Sequence, residues 1–442
     1  LLYIDPASFI RNYVTYIMPI TSYYLFRNFD LSMLDVYRLF SMLSCFLLVL
    51  FFIDFYSYKS IKNINNSKIL KYSYFITSLF VVFYFFLEYK IQPNGYSKSL
   101  SLGLLIAFYS PKFILVLFNL TEDVFRFLIA VYNRLRKRNM VIKLPSRRKF
   151  ISKLGIGLAS IPFVSLNLGM VWGKNNIKVL NYTLFFDNLP SSFDGFKLTQ
   201  ISDLHAGNLD NLDDLERTVK LINSQNSDVI FFTGDLVNNE ADELIPWITT
   251  LSKLSAKDGV YSILGNHDYG DYRSWPTELE KKKNFAKLKK YQKKIGFDLI
   301  LNDSRFIYKG GQKLAIVGVE NWSNAFRKYA DLSLATKKIK SSDFKILLSH
   351  DPTHWQEKIL QGEDDYPLTL SGHTHGGQFG IEIPGYLKWS PVKWRYKYWA
   401  GIYKEKNKYL NVNRGLGTTA VPGRVGIWPE ISVITLKSSN NV

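Results

Sequence analysis

The apolar runs of the chain are long before residue 175 and short after it, which divides the sequence into two parts near that residue. A bilayer crossing needs roughly 20 apolar residues, so the long runs before that point favour membrane helices over the buried helices of a soluble domain. A fifth run, 12–26, is marginal. We therefore predict a multi-helix membrane region at 1–133 and a basic segment with an anchor helix at 134–175. The four long runs lie at 39–53, 72–87, 100–120 and 154–172.

The formal net charge of +19 is concentrated in the membrane region. Residues 1–153 hold 20 Lys and Arg against 7 Asp and Glu, whereas the remaining residues hold 36 against 30. This distribution favours a membrane as the partner, and no nucleic acid is expected. The basic stretch 133–154 contains no acidic residue, so the positive-inside rule places it in the cytoplasm. We expect a multi-pass protein of the bacterial inner (cytoplasmic) membrane, with its C-terminal domain on the periplasmic or external face.

The basic stretch contains the motif Ser-Arg-Arg-Lys-Phe-Ile at 146–151, which resembles a twin-arginine export signal. Such signals usually stand at the N-terminus, whereas this one is internal. A plain basic flank before a membrane helix is an equal alternative. No small-residue cleavage site follows, so we expect the helix to remain as an anchor.

Short β-branched and aromatic runs alternate with helical patterns in the second part of the chain, which is typical of an α/β domain. We place this domain at 176–438 and a short tail at 439–442. Helix candidates begin near Asp210 and span 242–254 and 274–295. The predicted strands are 197–201, 229–233, 260–264, 313–319, 345–349, 368–370 and 431–436.

All six histidines lie in this second part, and five of them follow predicted strands. The carboxyl ends of the strands of an α/β sheet border a common crevice, where such side chains can meet. The single cysteine, Cys45, excludes a cysteine-based zinc site, so imidazole and carboxylate groups are the candidate ligands. The motifs are Asp203-Leu204-His205, Gly234-Asp235, Gly265-Asn266-His267-Asp268, Ser349-His350 and Gly372-His373-Thr374-His375.

This mixture of ligands has a chemical rationale. Imidazole nitrogens together with carboxylate oxygens suit divalent metals such as Mn, Fe, Zn or Co. A carboxylate can bridge two metals, and a metal pair can clamp a phosphoryl group and supply hydroxide at neutral pH. Each motif alone is a weak signal, whereas five motifs in order after strands are a strong one.

The ordered motifs resemble those of the calcineurin-like metallophosphoesterases over about residues 178–438. The stretches 413–417 (Asn-Arg-Gly-Leu-Gly) and 428–431 (Trp-Pro-Glu-Ile) are similar to the bacterial membrane-anchored subgroup. The resemblance implies an α/β fold, a four-layer α/β/β/α sandwich, here preceded by an α-helical transmembrane region. It also implies a centre of two divalent metal ions between the two sheets.

The resemblance implies a role for each motif residue. Asp203, His205 and His375 would bind one metal, and Asp235 would bridge the pair. His267, which is not a ligand, would be catalytic, because it would protonate the leaving oxygen or stabilise charge in the transition state. The ligands of the other metal would be Asn266, His350 and His373.

Two positions depart from the protein-phosphatase branch of the family. An Asp that orients the catalytic histidine and a following Arg are replaced by Asn238 and Asn239. An amide cannot stabilise an imidazolium as a carboxylate does, so we expect His267 to be less basic or to use another partner. The missing Arg argues against a protein-phosphatase activity. The sixth histidine, His354, fits no motif, and we expect it at the surface.

The segment 379–403 mixes seven Tyr and Trp residues with Lys and Arg directly after the last predicted ligands. This mixture fits a bilayer interface or a lipid phosphate headgroup, and the alternative is that the rings cover a sheet edge. Arg414 and Arg424 are candidate substrate-binding residues that would contact a phosphate.

The leading hypothesis is a membrane-anchored phosphoesterase that hydrolyses a phosphoester or pyrophosphate bond by metal-activated water. Monoesters, diesters and lipid-linked compounds are all candidate substrates. The alternative hypothesis is a membrane sensor or transporter-like protein with a catalytically silent phosphoesterase-like domain. The complete set of predicted ligands argues against a silent domain.

Overall fold

The computed structural model describes residues 33–91, 95–136, 145–323, 328–383 and 385–439. The apolar run 12–26, residues 137–144 of the basic stretch and residues 440–442 of the tail lie outside the described residues. The chain divides into two compact units. One unit is drawn from 1–72 and 112–155, and the other from 73–111 and 156–442.

Four helices among the described residues are long and apolar enough to cross a membrane, as the sequence predicts. Each predicted run coincides with one of them. The last helix begins at Pro145 rather than at residue 154, so the twin-arginine-like residues form its first turns. The helices are α1 (Met33–Ile64), α2 (Lys68–Ile91), α3 (Tyr96–Leu135) and α4 (Pro145–Val171).

The first unit contains polar contacts between its helical segments. Lys112 Nζ lies 2.6 Å from Asp54 Oδ1, and both residues are buried. Tyr56 donates a hydrogen bond of 2.7 Å to Asp123 Oδ2. An unpaired charge in an apolar segment would lose its hydration without compensation, so the pairing makes this burial tolerable. Lys112, which interrupts the apolar run of α3, is therefore matched within its own unit.

The second unit contains an α/β domain, whose described strands form two six-stranded sheets and one two-stranded ribbon. The strands are β1 (Lys178–Phe186), β2 (Lys197–Ile201), β3 (Val229–Phe232), β4 (Val260–Ser262), β5 (Asp298–Leu299), β6 (Asp303–Lys309), β7 (Gln312–Gly318), β8 (Lys345–Leu348), β9 (Leu368–Ser371), β10 (Ile381–Ile383), β11 (Leu387–Trp389), β12 (Gly401–Glu405), β13 (Lys408–Val412) and β14 (Glu430–Ser438). The sheet orders are β1-β14-β2-β3-β4-β5 and β12-β13-β9-β8-β7-β6.

Helices cover the outer faces of both sheets. The helices are α5 (Leu212–Asn223), α6 (Ile248–Leu251), α7 (Glu278–Ile295), α8 (Leu332–Ala335) and α9 (Pro352–His354). Val229 and Phe231 of β3 point into the core between the sheets, whereas Ile230 and Phe232 pack outward against α5, α6 and α7. The outer face of the second sheet packs against α8 and Trp355. These layers confirm the α/β/β/α sandwich.

The observed elements differ from the predicted ones where local chemistry overrides the apolar pattern. The predicted strands agree with the observed ones to within two residues. The predicted helix 242–254 is instead a 3₁₀ segment, Ala241–Trp247, followed by α6. Pro246 lies in that segment and lacks the backbone N–H that a continuous α-helix would use. Helix α7 begins at Glu278 because the Thr277 side chain accepts a hydrogen bond from the third N–H of the helix.

Candidate metal centre

Sharp turns at the carboxyl ends of five strands carry the motif residues. β2, β3 and β4 run parallel in the first sheet, and β8 and β9 run parallel in the second. Five predicted ligands have left-handed backbone conformations with φ between 49° and 71°, which non-glycine residues rarely adopt. Such strain is typical of functional sites, where surrounding contacts hold the backbone in place. These residues are Asp203, His205, Asp235, His373 and His375.

One group of ligands consists of Asp203, His205 and His375, whose ligand atoms lie within 4.8 Å of one another. His375 Nε2 is 3.0 Å from His205 Nε2 and 3.4 Å from Asp203 Oδ1. All three side chains are buried. The structure thus brings together the set that the resemblance assigns to one metal.

The second group consists of Asp235, His350 and His373, which meet the same distance limit. Asp235 Oδ2 lies 3.1 Å from His350 Nε2 and 3.7 Å from His205 Nε2. The carboxylate of Asp235 therefore stands between the two groups, where a bridging ligand would be needed.

The amide of Asn266 is oriented as a metal ligand would be. Its Nδ2 donates a hydrogen bond of 2.6 Å to the Tyr272 hydroxyl. Its Oδ1 is buried and has no hydrogen-bond partner among the described residues. Burying a carbonyl oxygen without a partner costs about 1–3 kcal/mol, so a cation at this position would offset a real penalty.

Hydrogen bonds outside the cluster determine which imidazole nitrogen faces it. Nδ1 of His205 lies 2.9 Å from Oδ1 of Asn238, and Nδ1 of His350 lies 2.7 Å from the carbonyl oxygen of Thr233. Because these oxygens only accept, each Nδ1 carries the proton and donates it. Each Nε2 then keeps its lone pair for a metal.

The buried environment shifts the pKa values of several cluster residues. Burial lowers the pKa of His205 to about 3 and the pKa of His375 well below its usual value, so both imidazoles are neutral. Burial raises the pKa of Asp203 to about 7, a shift that a bound cation would reverse. Although burial opposes both shifts, the contact between Asp235 and His350 holds the pKa of Asp235 well below its usual range and raises the pKa of His350 to about 10. A cation at this position would displace the second proton from Nε2 of His350 and leave a neutral imidazole. Neutral imidazoles and ionised carboxylates are the forms that bind metals.

His267 lies at the border of the cluster and is half-buried. Its Nδ1 lies 2.9 Å from the backbone carbonyl oxygen of Asn238, and its ring stacks on Tyr272 with centroids 4.2 Å apart. The backbone carbonyl of Asn238 therefore takes the place of the missing carboxylate as the partner of His267. The amide side chain of Asn238 contacts His205 instead.

Two residues to which the sequence motifs give no role also contact the site. The Tyr396 hydroxyl lies 2.8 Å from Nε2 of His373, which connects the aromatic segment 379–403 to a ligand. Asp268 ends the Gly-Asn-His-Asp motif, and its carboxylate accepts four backbone hydrogen bonds of 2.9–3.2 Å. In the sequence, Asp268 is an acidic residue between His267 and the aromatic Tyr269, and this pattern is too common to reveal its role. The donors are the N–H groups of Asp235, Leu236, Val237 and Gly265.

The structure gives internal partners to the two arginines predicted to contact substrate phosphate. Arg414 is buried and pairs with Glu430. Arg424 is fully buried, and its guanidinium donates to the carbonyl oxygens of Gly417 (2.6 Å) and His375 (3.3 Å). These contacts support a role in holding the loop that carries His375 rather than in binding phosphate.

Arg424 also contacts the C-terminal end of α4. Its backbone N–H donates a hydrogen bond of 3.1 Å to the carbonyl oxygen of Gly169. A Cβ atom added to Gly169 or to Gly173 would collide with the Arg424 carbonyl oxygen. Only glycine therefore permits the close approach of α4 to the backbone of this loop.

The sixth histidine is buried, which corrects the expectation of a surface position. His354 is 2 % exposed, and its Nδ1 lies 2.8 Å from Ser349 Oγ. Its ring centroid is 5.0 Å from that of Trp322. The periodic pattern could not reveal this burial because α9 spans three residues, too few to show an apolar face.

The fold and the cluster together define the class of protein. Histidine and aspartate side chains from the strand ends of both sheets converge, with ligand atoms oriented by outer hydrogen bonds. This is the arrangement of a metal-dependent hydrolase. Residues 196–377 match the family model described as calcineurin-like phosphoesterase. Residues 38–174 match a model described as probable calcineurin-like phosphoesterase, transmembrane domain.

Relatives with the same domain occur in several organisms. The chain is 32 % identical to the uncharacterized metallophosphoesterase YkuE of Bacillus subtilis, over 68 % of this chain and 100 % of that protein. It is 25 % identical to the uncharacterized metallophosphoesterase Cj0846 of Campylobacter jejuni, over 88 % and 96 % of the two chains. A transmembrane protein with metallophosphoesterase domain from Danio rerio is 27 % identical, over 61 % of this chain and 60 % of its own length.

The chain belongs to the calcineurin-like metallophosphoesterase family. It is a membrane protein and a metal-dependent phosphoesterase. The family assignment and the clustered candidate ligands both weigh against the alternative of a catalytically silent domain.

Proposed function

We propose that the chain uses two divalent metal ions to hydrolyse a phosphoester or pyrophosphate bond. The observation that carries the proposal is the position of Asp235, whose Oδ2 lies between His205 and His350 of the two ligand groups. A carboxylate in that position can share its oxygens between two cations. The nitrogen and carboxylate ligands favour Mn, Fe, Zn or Co. The proposed ligands are Asp203, His205, Asp235, Asn266, His350, His373 and His375.

The side chains of the site support a separate role for the metal ligands and for His267 in the reaction. Two bound cations would neutralise the phosphate charge and make hydroxide available at neutral pH. The water oxygen adds to phosphorus and the bond to the leaving oxygen breaks. The imidazolium form of His267 donates its Nε2 proton to that oxygen, and the proton that the water releases restores the imidazolium. The contact of His267 Nδ1 with the Asn238 carbonyl oxygen fixes the ring so that Nε2 remains available.

The proposal places the domain on the external face of the bacterial inner membrane. The basic residues around the start of α4 favour a cytoplasmic position for that end, so the helix would cross outward. A phosphoester at the membrane surface would then be within reach of the site, and lipid-linked compounds are the favoured candidates.

The proposed metal pair can be tested with the full chain in detergent, loaded with Mn or Zn. We expect hydrolysis of one or more of p-nitrophenyl phosphate, bis(p-nitrophenyl) phosphate and a nucleoside diphosphate ester. Asp235→Asn should reduce the rate at least about a hundredfold and lower the bound metal from two ions per chain. Asp187→Asn, an exposed aspartate in a turn, is the matched control and should change neither quantity. Unchanged metal content and rate in Asp235→Asn would contradict the bridging role.

The proposed orientation can be tested by labelling intact cells. Cys45 is the single cysteine, so Cys45→Ser provides a cysteine-free background. Lys257→Cys then adds one thiol at an exposed position of the domain. A membrane-impermeant maleimide should label this thiol before permeabilisation. Labelling only after permeabilisation would place the domain in the cytoplasm and overturn the orientation.

A further inference from the structure

The two-stranded ribbon β10–β11 carries an exposed apolar face. Cross-strand pairing sets Ile381 opposite Trp389 and Ile383 opposite Leu387, so these four side chains share one face. Ile381, Ile383 and Leu387 are each 46–52 % exposed. Tyr386 in the connecting turn is 92 % exposed. A soluble protein rarely presents a continuous apolar face of this kind without a partner.

The polar face of the ribbon, in contrast, points toward the domain. Glu382 Oε1 is 2.6 Å from Nη2 of Arg414. Lys388 contacts the Ala400 carbonyl oxygen, and its Nζ lies 4.8 Å from the Trp399 ring centroid. An antiparallel ribbon on a soluble domain normally buries its apolar face and exposes its polar one. This ribbon instead exposes its apolar face, while Glu382 and the exposed Lys388 both contact the domain. An exposed apolar face is the arrangement expected of a surface that faces lipid.

The base of the ribbon contacts segments of the membrane helices. Phe379, two residues before β10, packs against an apolar cluster formed by Ala107 of α3, Met170 of α4 and Val421. Both helices belong to the candidate membrane spans. All of these residues lie in the second unit, so the ribbon starts where the membrane-spanning segments meet the α/β domain.

Aromatic and basic side chains border the apolar face. Trp394 is 76 % exposed, and its ring packs edge-on against Trp389 with centroids 5.9 Å apart. Lys393 and Arg395 flank Trp394 and are exposed. Tryptophan beside cationic residues is typical of the interface between the hydrocarbon and the headgroups of a bilayer.

The ribbon is also continuous with the metal centre. It begins six residues after His375, and Tyr396, just beyond Arg395, contacts His373. The chain thus runs from the candidate ligand His375 directly into the ribbon, and from the ribbon to a side chain that contacts His373.

We propose that the apolar face of the ribbon inserts into the surface of the bilayer and presents lipid phosphoesters to the metal centre. The substrate class is a membrane lipid whose phosphate lies at the headgroup level. This substrate assignment rests on the proposed phosphoesterase function, whereas the insertion itself does not. Contact with α3 and α4 favours a bilayer over a second copy of the chain as the partner, because lipid that surrounds these two helices would also lie next to the ribbon.

Insertion can be measured without any enzyme activity. In the full-length Cys45→Ser chain, Ile383→Cys is labelled with an environment-sensitive fluorophore and reconstituted into phosphatidylcholine–phosphatidylglycerol nanodiscs. Lipids that carry a doxyl quencher should quench this probe strongly. Tyr308→Cys is the matched control, because Tyr308 is a 70 % exposed apolar residue on β6, the edge strand farthest from β12 in its sheet. Equal quenching at the two positions would overturn the insertion.

The substrate assignment has its own test with the metal-loaded full chain. We compare hydrolysis of phosphatidic acid and phosphatidylglycerol in nanodiscs with hydrolysis of soluble bis(p-nitrophenyl) phosphate. The triple variant Ile381→Ser, Ile383→Ser, Leu387→Ser should lose about tenfold or more on the lipids, because the headgroup is no longer positioned, and keep its rate on the soluble ester. Tyr308→Ser should keep both rates.

The outcomes separate the two proposals. A wild-type chain that hydrolyses the soluble ester but neither lipid would overturn the lipid assignment and leave the proposed function intact. Lipid hydrolysis that persists in the triple variant would also overturn the role of the ribbon. A wild-type chain with no activity on any ester, together with strong quenching at Ile383, would contradict the proposed function alone.

Discussion

The carboxylate of Asp268 accepts hydrogen bonds from the loop that carries Asp235, the proposed bridging ligand, so its substitution tests what that loop contributes. Oδ2 accepts hydrogen bonds from the N–H groups of Asp235 and Gly265, and Oδ1 accepts from those of Leu236 and Val237. Asp268→Asn replaces one of the two oxygens with an NH₂ group. In either orientation of the amide, two backbone N–H groups then face a donor instead of an acceptor.

The expected loss follows from those two hydrogen bonds. Each buried N–H group left without an acceptor costs about 1–3 kcal/mol, so Asp268→Asn should lower the free energy of unfolding by roughly 2–6 kcal/mol. For a domain of this size, 1 kcal/mol corresponds to about 2–4 °C in Tm, which predicts a decrease of roughly 4–24 °C. Metal affinity should fall about 10–100-fold, because the Asp235 loop is no longer held.

The assay combines thermal unfolding of the detergent-solubilised full chain with elemental analysis of bound metal. Asp187→Asn makes the same chemical change at an exposed turn and should leave both measurements unchanged. If Asp268→Asn unfolded at the same temperature as the wild type and retained its metal, the four hydrogen bonds would not have the role assigned here.

Two further predictions concern packing and pH. Gly173→Ala should cost about 1–3 kcal/mol in thermal unfolding and reduce activity, because its Cβ would push against Arg424, whereas Gly157→Ala in the preceding helix α4 meets open space. Burial lowers the pKa of His354 to about 4, so the folded state binds fewer protons than the unfolded state between pH 6.5 and 4. Stability is lost as pH falls through that window, by about 3 kcal/mol, and pH-dependent melting of His354→Gln should show a correspondingly smaller loss.

The sequence predicts that the candidate ligands lie together and where most of the strands that carry them end. Ligand motifs such as Asp203-x-His205 stand directly after short apolar strands, and parallel strands bring their carboxyl ends to one edge. That rule is enough to place the ligands near each other. It does not reveal that His354 is buried, because its contacts with Ser349 and Trp322 depend on how α9 folds back.

The ribbon and the arginines show a second kind of limit. A charged residue such as Arg424 reads as a surface or phosphate-binding group, and only the structure reveals the carbonyl oxygens that surround it. Likewise, the alternation in β10 predicts one polar and one apolar face, but not which face meets the domain. In both cases the deciding contacts join residues far apart in the chain.

The glycine contacts at the end of α4 mean that the membrane segment cannot be exchanged freely. A foreign transmembrane helix joined at residue 173 would carry side chains where Gly169 now touches the Arg424 loop. Such a fusion would still attach the enzyme to the membrane, but it would displace Arg424, whose guanidinium holds the backbone of His375. Recombination among relatives should therefore tolerate new helices upstream while selecting for small residues in the final turn before the catalytic domain.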